Sequence, residues 1–450
     1  MNIPAADGRI AGRKPAAPYG EPDHDSAEAR IAAFADQVER RLAGEITEDQ
    51  FRPLRLMNGV YLQRHSYMLR AALPYGMLSP GRLRMLAQVA RKYDKGYGHF
   101  TTRRDIQFNW PGLADIPAIL ADLATVGMRA VQTSNNRIDI VAATRFAGAA
   151  ADEVADPRPY AEMLRRWSCA HPEFLDLPRR IRIAVTGSDR DRAAIRAHDI
   201  GLRLKRDDRG QTGFGVHVGG RARMPLETAP IRDFLPAEHL LSYCAAILRV
   251  YGLHRRHSDS HRERLETLVH AVGTEDFARR VEAEWSAPKD GRPTPPEADI
   301  AAIHACFAQP ALPARPEGDE AVKLARLDSR SFGEWLARNT VTHRQADYAA
   351  VAVPLTGIGE TPGDISAEQM EAVADIAARY GFDEVHASRE QELVLPHVAR
   401  ADLKAVHDAL AAIGLTQTVR QDSEERPIDG RRAGSQPLRE ALHAREFRAA

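Results

Sequence analysis

A chain of 450 residues and 49.7 kDa is long enough for two or three domains with substantial cores. Lys+Arg and Asp+Glu number 62 each, so the formal charge is zero, which argues against a general nucleic-acid binder or a polybasic membrane protein. Cys169, Cys244 and Cys306 include no close pair, no apolar run approaches the roughly 20 residues of a membrane helix, and the N-terminus lacks the apolar stretch of a signal peptide. These bounds exclude a disulfide framework and a locally spaced cysteine metal site. They predict a soluble cytoplasmic protein.

In chain order, residues 1–25 are rich in Ala, Pro and Gly without periodicity and are expected to form a flexible tail. A helix is predicted over Ser26–Ala43, with Ala32, Phe34, Val38 and Leu42 near one face. An internal repeat of about 70 residues then begins. Asn58 leads to Tyr67 and a strand at Met68–Leu73; Asn339 leads over the same spacing to Tyr348 and a strand at Ala349–Pro354. Ser79 opens a helix ending at Tyr93, and Ser366 opens one ending at Tyr380, 14 residues in both cases, each serine a candidate N-cap. Arg103 follows in the first copy and Arg389 in the second, and each copy closes with a similar helix.

Strand, helix, strand, helix in each copy predicts an α+β fold: two ferredoxin-like half-repeats paired by a pseudo-two-fold, with an α/β domain inserted between them. The expected divisions are 26–150 for the first helix and half-repeat, 151–286 for the insert, 287–325 for a Pro-rich linker, 326–416 for the second half-repeat and 417–450 for a charged tail. Within the insert, Arg180–Val185 alternates as a strand, Gly201–Gly220 reads as a hairpin, and helices are predicted over Glu238–Val250 and His261–Glu284.

Period-2 geometry puts Arg103, Asp105, Gln107 and Asn109 on one face of a strand and Ile106, Phe108 and Trp110 on the other. Arg180 and Arg182 would stand about 7 Å apart on one strand face, a spacing suited to an anion. Arg70 lies in an otherwise apolar strand and needs either an acidic side chain or a bound anion. His254, His257 and His261 have helical spacing, but the Arg- and Ser-rich setting favours a solvated loop, so no metal site is assigned. The glycines after Gly213 sit in the hairpin and do not form a dinucleotide fingerprint.

FRPLRLMNGVYLQRHSYMLRAALPYG, GHFTTRRDIQFNW, VADPRPYAEMLRRW, HPEFLDLPRRIRIAV and HDIGL resemble the haemoprotein subunit of siroheme-dependent sulfite and nitrite reductases, with ordered spacing from about Phe51 to Ala412. The resemblance implies siroheme as cofactor, coupled to a [4Fe–4S] cluster, and six-electron reduction of sulfite or nitrite, with electrons from a flavoprotein or ferredoxin. By resemblance, Arg70 matches a catalytic arginine that faces the substrate pocket, and Arg180 and Arg182 take the catalytic positions where the family usually has two lysines. Arg103, Gln107 and Asn136 match cofactor-binding positions. The family's substrate arginine is replaced by Asp139, with Arg137 two residues earlier. The family's four cluster cysteines lie after the second repeat, where the roughly 35 residues of this chain contain none. The expectation is therefore a chain truncated before the cluster region and lacking a cluster ligand set. The alternative is a non-catalytic relative that retains the fold, with siroheme or partner-subunit binding.

Overall fold

The computed structural model describes residues 24–130, 138–170, 172–174, 177, 179–190, 195–220, 229–255, 264–287, 297–355 and 361–416. The predicted first helix is α1 (His24–Leu42), followed by a second, α2 (Glu48–Met57), that periodicity did not reveal. Thr47 and Gln50 close a capping box at its start, while Pro53 sits within it.

The first half-repeat runs β1 (Val60–Leu62), β2 (Tyr67–Ala72), β3 (Met77–Leu78), α3 (Pro80–Tyr93), β4 (Tyr97–Phe100), β5 (Asp105–Phe108) and α4 (Ile116–Thr125). The insert contributes β6 (Ile138–Ala143), α5 (Arg158–Ala170), β7 (Ile181–Thr186), β8 (Ile200–Arg206), β9 (Thr212–Val218), β10 (Ala229–Pro236), α6 (Leu240–Arg255), α7 (Leu265–Val272), α8 (Thr274–Ser286) and α9 (Glu297–Cys306). The single helix expected over His261–Glu284 is two, because Gly273 adopts φ 82° between α7 and α8. Then come α10 (Gly318–Asp328), α11 (Arg330–Asn339), β11 (Thr340–Thr342), β12 (Tyr348–Pro354), β13 (Asp364–Ser366), α12 (Ala367–Tyr380), β14 (Val385–Ala387), β15 (Glu392–Ala399) and α13 (Leu403–Ala412).

Among the described residues the strands form three five-stranded sheets. One has the order β1-β2-β5-β4-β13 and another β11-β12-β15-β14-β3, so each half-repeat donates its short strand to the other's sheet. The registers match: Met77 pairs with His386 and Leu78 with Val385, while Asp364 pairs with His99 and Ile365 with Gly98. Every one of these correspondences is an offset of 287 residues, as from Ser79 to Ser366. The pseudo-two-fold expected from the repeat is therefore built by reciprocal strand exchange.

The same offset relates the helices at the axis. Leu83, Leu86, Ala87 and Ala90 of α3 and Met370, Val373, Ala374 and Ala377 of α12 are all buried in one core that spans both half-repeats. The alanines let the two backbones approach closely, and apolar burial of this kind stabilises by about 25 cal/mol per Å². Ser79 and Ser366 cap their helices through the backbone N–H of Arg82 and Gln369, as the sequence predicts. The third sheet, β10-β9-β8-β7-β6, is parallel across β6, β7 and β8 and antiparallel beyond. Ile181, Ile183 and Val185 pack it onto α5 and α6. No helix among the described residues is long and apolar enough to cross a membrane.

Where the insert meets the second half-repeat, Glu153 is buried. Its Oε2 accepts from Gly148 N at 2.8 Å, and its Oε1 has no partner. Burial, reinforced by Asp156, pushes its carboxyl up to about 8. A carboxyl raised in the folded state contributes stability below its unfolded value that is lost as pH rises through about 8. Glu153→Gln should remove that loss. Urea denaturation at pH 5.5 and 8.5 should show the variant gaining about 3 kcal/mol on the wild type between the two. An unchanged difference would mean that Glu153 is ionised throughout.

Candidate functional site

β2 and β5 are antiparallel neighbours with Arg70 opposite Gln107 and Ala72 opposite Asp105. The sequence-predicted pair Arg70 and Gln107 are thus brought together. Arg70 Nε lies 3.5 Å from Asp105 Oδ2, both side chains being largely buried, and its guanidinium sits 5.1 Å from the Tyr61 ring centroid. Gln107, its amide oxygen turned toward the guanidinium, accepts from Nε at 3.2 Å and from Nη2. Asp105 also accepts from the Thr101 hydroxyl. Of the two partners expected for Arg70, an acidic side chain supplies the charge.

The predicted four-residue polar face is shorter than expected. β5 begins at Asp105, because Arg104 takes φ 59° and breaks the alternation, so Arg103 lies in the preceding turn and not on the strand. Arg103 is exposed there, its backbone N–H donating to Thr101 Oγ1 at 3.0 Å, and its side chain has no ion pair among the described residues. Asn109 follows the strand's end. The buried member of the Arg-Arg pair is Arg104, whose Nε and Nη1 have no hydrogen-bond partner. Sequence reasoning missed it. The 287-residue offset was the available signal, since it sets Arg103 against Glu390 and Arg104 against Gln391, which shares the left-handed turn conformation at φ 61°.

On the third sheet, β7 begins at Ile181, so Arg180 is an exposed residue just outside the strand and the expected pair on one strand face is not formed. Arg182 is on the strand and is committed internally: Asp199 Oδ2 accepts from its backbone N at 2.9 Å and its Nε at 3.2 Å. Burial raises the Asp199 carboxyl against the opposing pull of Arg182. Asn136 and Arg137 lie outside the described residues, as do the Asp139 side chain, His257 and His261. A guanidinium already paired with a buried carboxylate offers a second anion much less attraction than a free one. By that measure Arg103 is available, whereas Arg70 and Arg182 are held.

Siroheme carries multiple carboxylates and calls for cations that the protein has not already neutralised. Arg103 in its exposed turn and the unpartnered buried nitrogens of Arg104 meet that requirement. Among the described residues no ligand set for a [4Fe–4S] cluster is found. Cys244 is buried in α6 with its thiol pushed up to about 12 by burial, Cys306 is at the end of α9, and the described residues contain no metal-sized group of three His, Cys, Asp or Glu.

Paired ferredoxin-like half-domains around an inserted α/β domain define the class of α+β proteins to which the siroheme reductases belong. Residues 61–126 and 342–413 match the family model described as the nitrite/sulfite reductase ferredoxin-like half domain, and residues 134–289 match that of the nitrite and sulphite reductase 4Fe-4S domain. The chain belongs to the nitrite and sulfite reductase family. It is 26% identical over 362 residues to the chloroplastic ferredoxin–nitrite reductase of Arabidopsis thaliana, covering 76% of this chain and 54% of that one. It is 29% identical over 267 residues to the ferredoxin–nitrite reductase of Leptolyngbya laminosa, covering 56% of this chain and 52% of that one. The NirA protein of Mycobacterium tuberculosis shares the fold, with a TM-score of 0.63 at 21% identity over 87% of this chain and 70% of that one. The chain spans about half the length of the first two relatives.

Proposed function

We propose that this chain is the tetrapyrrole-holding part of a siroheme nitrite or sulfite reductase, in which an oxyanion is reduced by six electrons. The observation that carries the reading is the reciprocally exchanged pair of half-repeats, each of which matches the family's half-domain model at the equivalent stretch. Siroheme, when bound, supplies the iron centre at which the oxyanion is reduced. Arg103, exposed and without an ion pair among the described residues, would hold a carboxylate of the ring. Gln107 orients Arg70 from across the strand pair, and Asp105 fixes its charge. Arg180 and Arg182 border the same chemistry from the insert, with Asp199 setting the direction of Arg182. The relatives named for ferredoxin and nitrite point to a small iron–sulfur protein as electron donor and to nitrite as substrate.

An optical spectrum of the purified chain after siroheme loading, with iron and acid-labile sulfide assayed on the same sample, tests this reading. Tetrapyrrole bands that shift on adding nitrite or sulfite support it, and a chain that takes up no tetrapyrrole sinks it. Arg103→Ala should lower tetrapyrrole occupancy about tenfold, the loss of about one charge-assisted contact. Unchanged occupancy would remove Arg103 from the contact set.

A second reading, a family member that binds tetrapyrrole without turnover, is favoured by the internal pairing of Arg70 with Asp105 and of Arg182 with Asp199. Stable bands that do not respond to either oxyanion distinguish it.

A further inference from the structure

The turns at 101–104 and 388–391 are equivalent under the pseudo-two-fold. Thr101 N donates to Asp105 O at 2.9 Å and Ser388 N to Glu392 O at 2.9 Å, and the fourth residue of each turn is left-handed. The fourth side chain reaches into the seam between the halves. In the second turn this is Gln391, whose amide donates to Phe100 O at 3.0 Å and Pro362 O at 2.8 Å and so spends both hydrogens on backbone carbonyls of the seam. In the first turn the equivalent is Arg104, 6% exposed, with Nε and Nη1 unpartnered. A neutral amide has been replaced by a buried cation and no acceptor has been supplied.

The surroundings make that cation more costly. Arg145 and Arg389 are close enough to repel it, and Glu390 alone attracts it; burial first and these two arginines next push the Arg104 guanidinium down to about 10. Arg145 is already engaged by Glu392 and, at 3.5 Å, by Glu390. Arg389 is half-buried and makes no ion pair among the described residues. An uncompensated buried charge costs several kcal/mol. Beside that buried guanidinium stand Arg389, without an ion pair among the described residues, and Arg145, paired with two carboxylates, so Arg104 and Arg389 are the two cations left for a negative ligand.

We infer that the seam between the two half-repeats binds an anion, a carboxylate or a small oxyanion, on Arg104, with Arg389 and Arg145 alongside. The proposed function bears only on the source of that anion, a tetrapyrrole carboxylate or a free oxyanion. The site itself rests on the seam.

Sodium sulfate titrated into the full chain, against sodium chloride at equal ionic strength, tests the inference by calorimetry and thermal denaturation. Sulfate should bind and raise Tm beyond chloride. Arg104→Gln, which installs the residue of the equivalent position, should bind sulfate at least tenfold more weakly while melting at or above the wild-type temperature in chloride. Arg389→Gln, nearer the surface, should weaken sulfate about threefold and gives an independent reading if the first variant misfolds. Equal sulfate affinity in wild type and both variants, or no sulfate effect beyond chloride, overturns the site.

Uroporphyrin, an octacarboxylate followed by its fluorescence, separates the sources. Competition with sulfate that disappears in Arg104→Gln assigns a tetrapyrrole carboxylate, and simultaneous binding assigns a free oxyanion. Arg104-dependent sulfate binding with no uroporphyrin binding would leave the site standing and count against the proposed function.

Discussion

Gly76→Ala is expected to destabilise the whole protein by about 3–4 kcal/mol, measured as a fall in the urea midpoint with circular dichroism as the probe. Gly76 has φ 75° and lies immediately before β3, the strand that crosses into the second half-repeat. A Cβ there would overlap the Ala387 carbonyl oxygen and press on the backbone N and C of the same residue. Two penalties combine. The left-handed conformation costs an L-residue about 1–2 kcal/mol, and the steric conflict is with backbone, which has no rotamer to yield. Relief requires β3 to withdraw from β14, which gives up the pairing of Met77 with His386 and Leu78 with Val385. Gly363, at φ 92°, occupies the equivalent position against the Phe100 carbonyl, so Gly363→Ala should cost a similar amount through β13 and β4. Gly44, at φ 79°, supplies the control, because a Cβ there meets nothing within 4 Å. Equal effects at all three positions would show that backbone strain alone, and not the strand exchange, sets the cost.

The half-repeats were legible in the sequence because local signals encode them. Matched spacings in the two copies marked β2 with β12 and α3 with α12, and Ser79 and Ser366 marked the helix starts. The exchange of β3 and β13 was not legible. Each is two or three residues long, too short for periodicity, and its partner lies more than 260 residues away.

The candidate site divides along the same line. Arg70 was found as the lone cation of an otherwise apolar strand and Gln107 on the polar face of an amphipathic one, and the structure sets them opposite one another. Arg103 was assigned to the strand because alternation assumes extended backbone, which the positive φ of Arg104 interrupts. The commitment of Arg182 to Asp199 depends on β7 lying parallel to β8, which is fixed by packing and not by either residue's neighbours in sequence.

The other large effect is expected from Arg158→Met, about 3–5 kcal/mol, because Arg158 is the buried tie between the insert and the second half-repeat. At 2% exposure, its guanidinium takes Asp156 through Nε at 3.0 Å and Nη2 at 2.7 Å, and its Nη1 reaches Glu384. Burial alone would lower Arg158 and raise Glu384. Instead the two carboxylates hold Arg158 above its ordinary value, and Arg158, with His386, holds Glu384 well below its own. Methionine fills much the same volume but leaves Glu384 and Asp156 facing one another without a cation. Glu384→Gln added to Arg158→Met should therefore recover about half of the loss, a coupling that a double-mutant cycle reads directly.

The pH dependence carries a sign that a packing defect would not. A carboxyl depressed in the folded state contributes stability above its unfolded value, which is lost as pH falls through the folded one. In Arg158→Met the Glu384 carboxyl loses its cation, and burial then raises it, so acid should favour the variant. His343, lowered by burial to about 4, makes both proteins less stable below the ordinary histidine range and cancels in the comparison, whereas His397, which burial and also Arg158 push down, is eased in the variant and narrows the gap in the same direction. The stability gap between wild type and Arg158→Met should narrow steadily from pH 6 to pH 4. A gap independent of pH would mean that Arg158 matters for its volume, and that the charge on Glu384 contributes nothing to holding the insert against the second half-repeat.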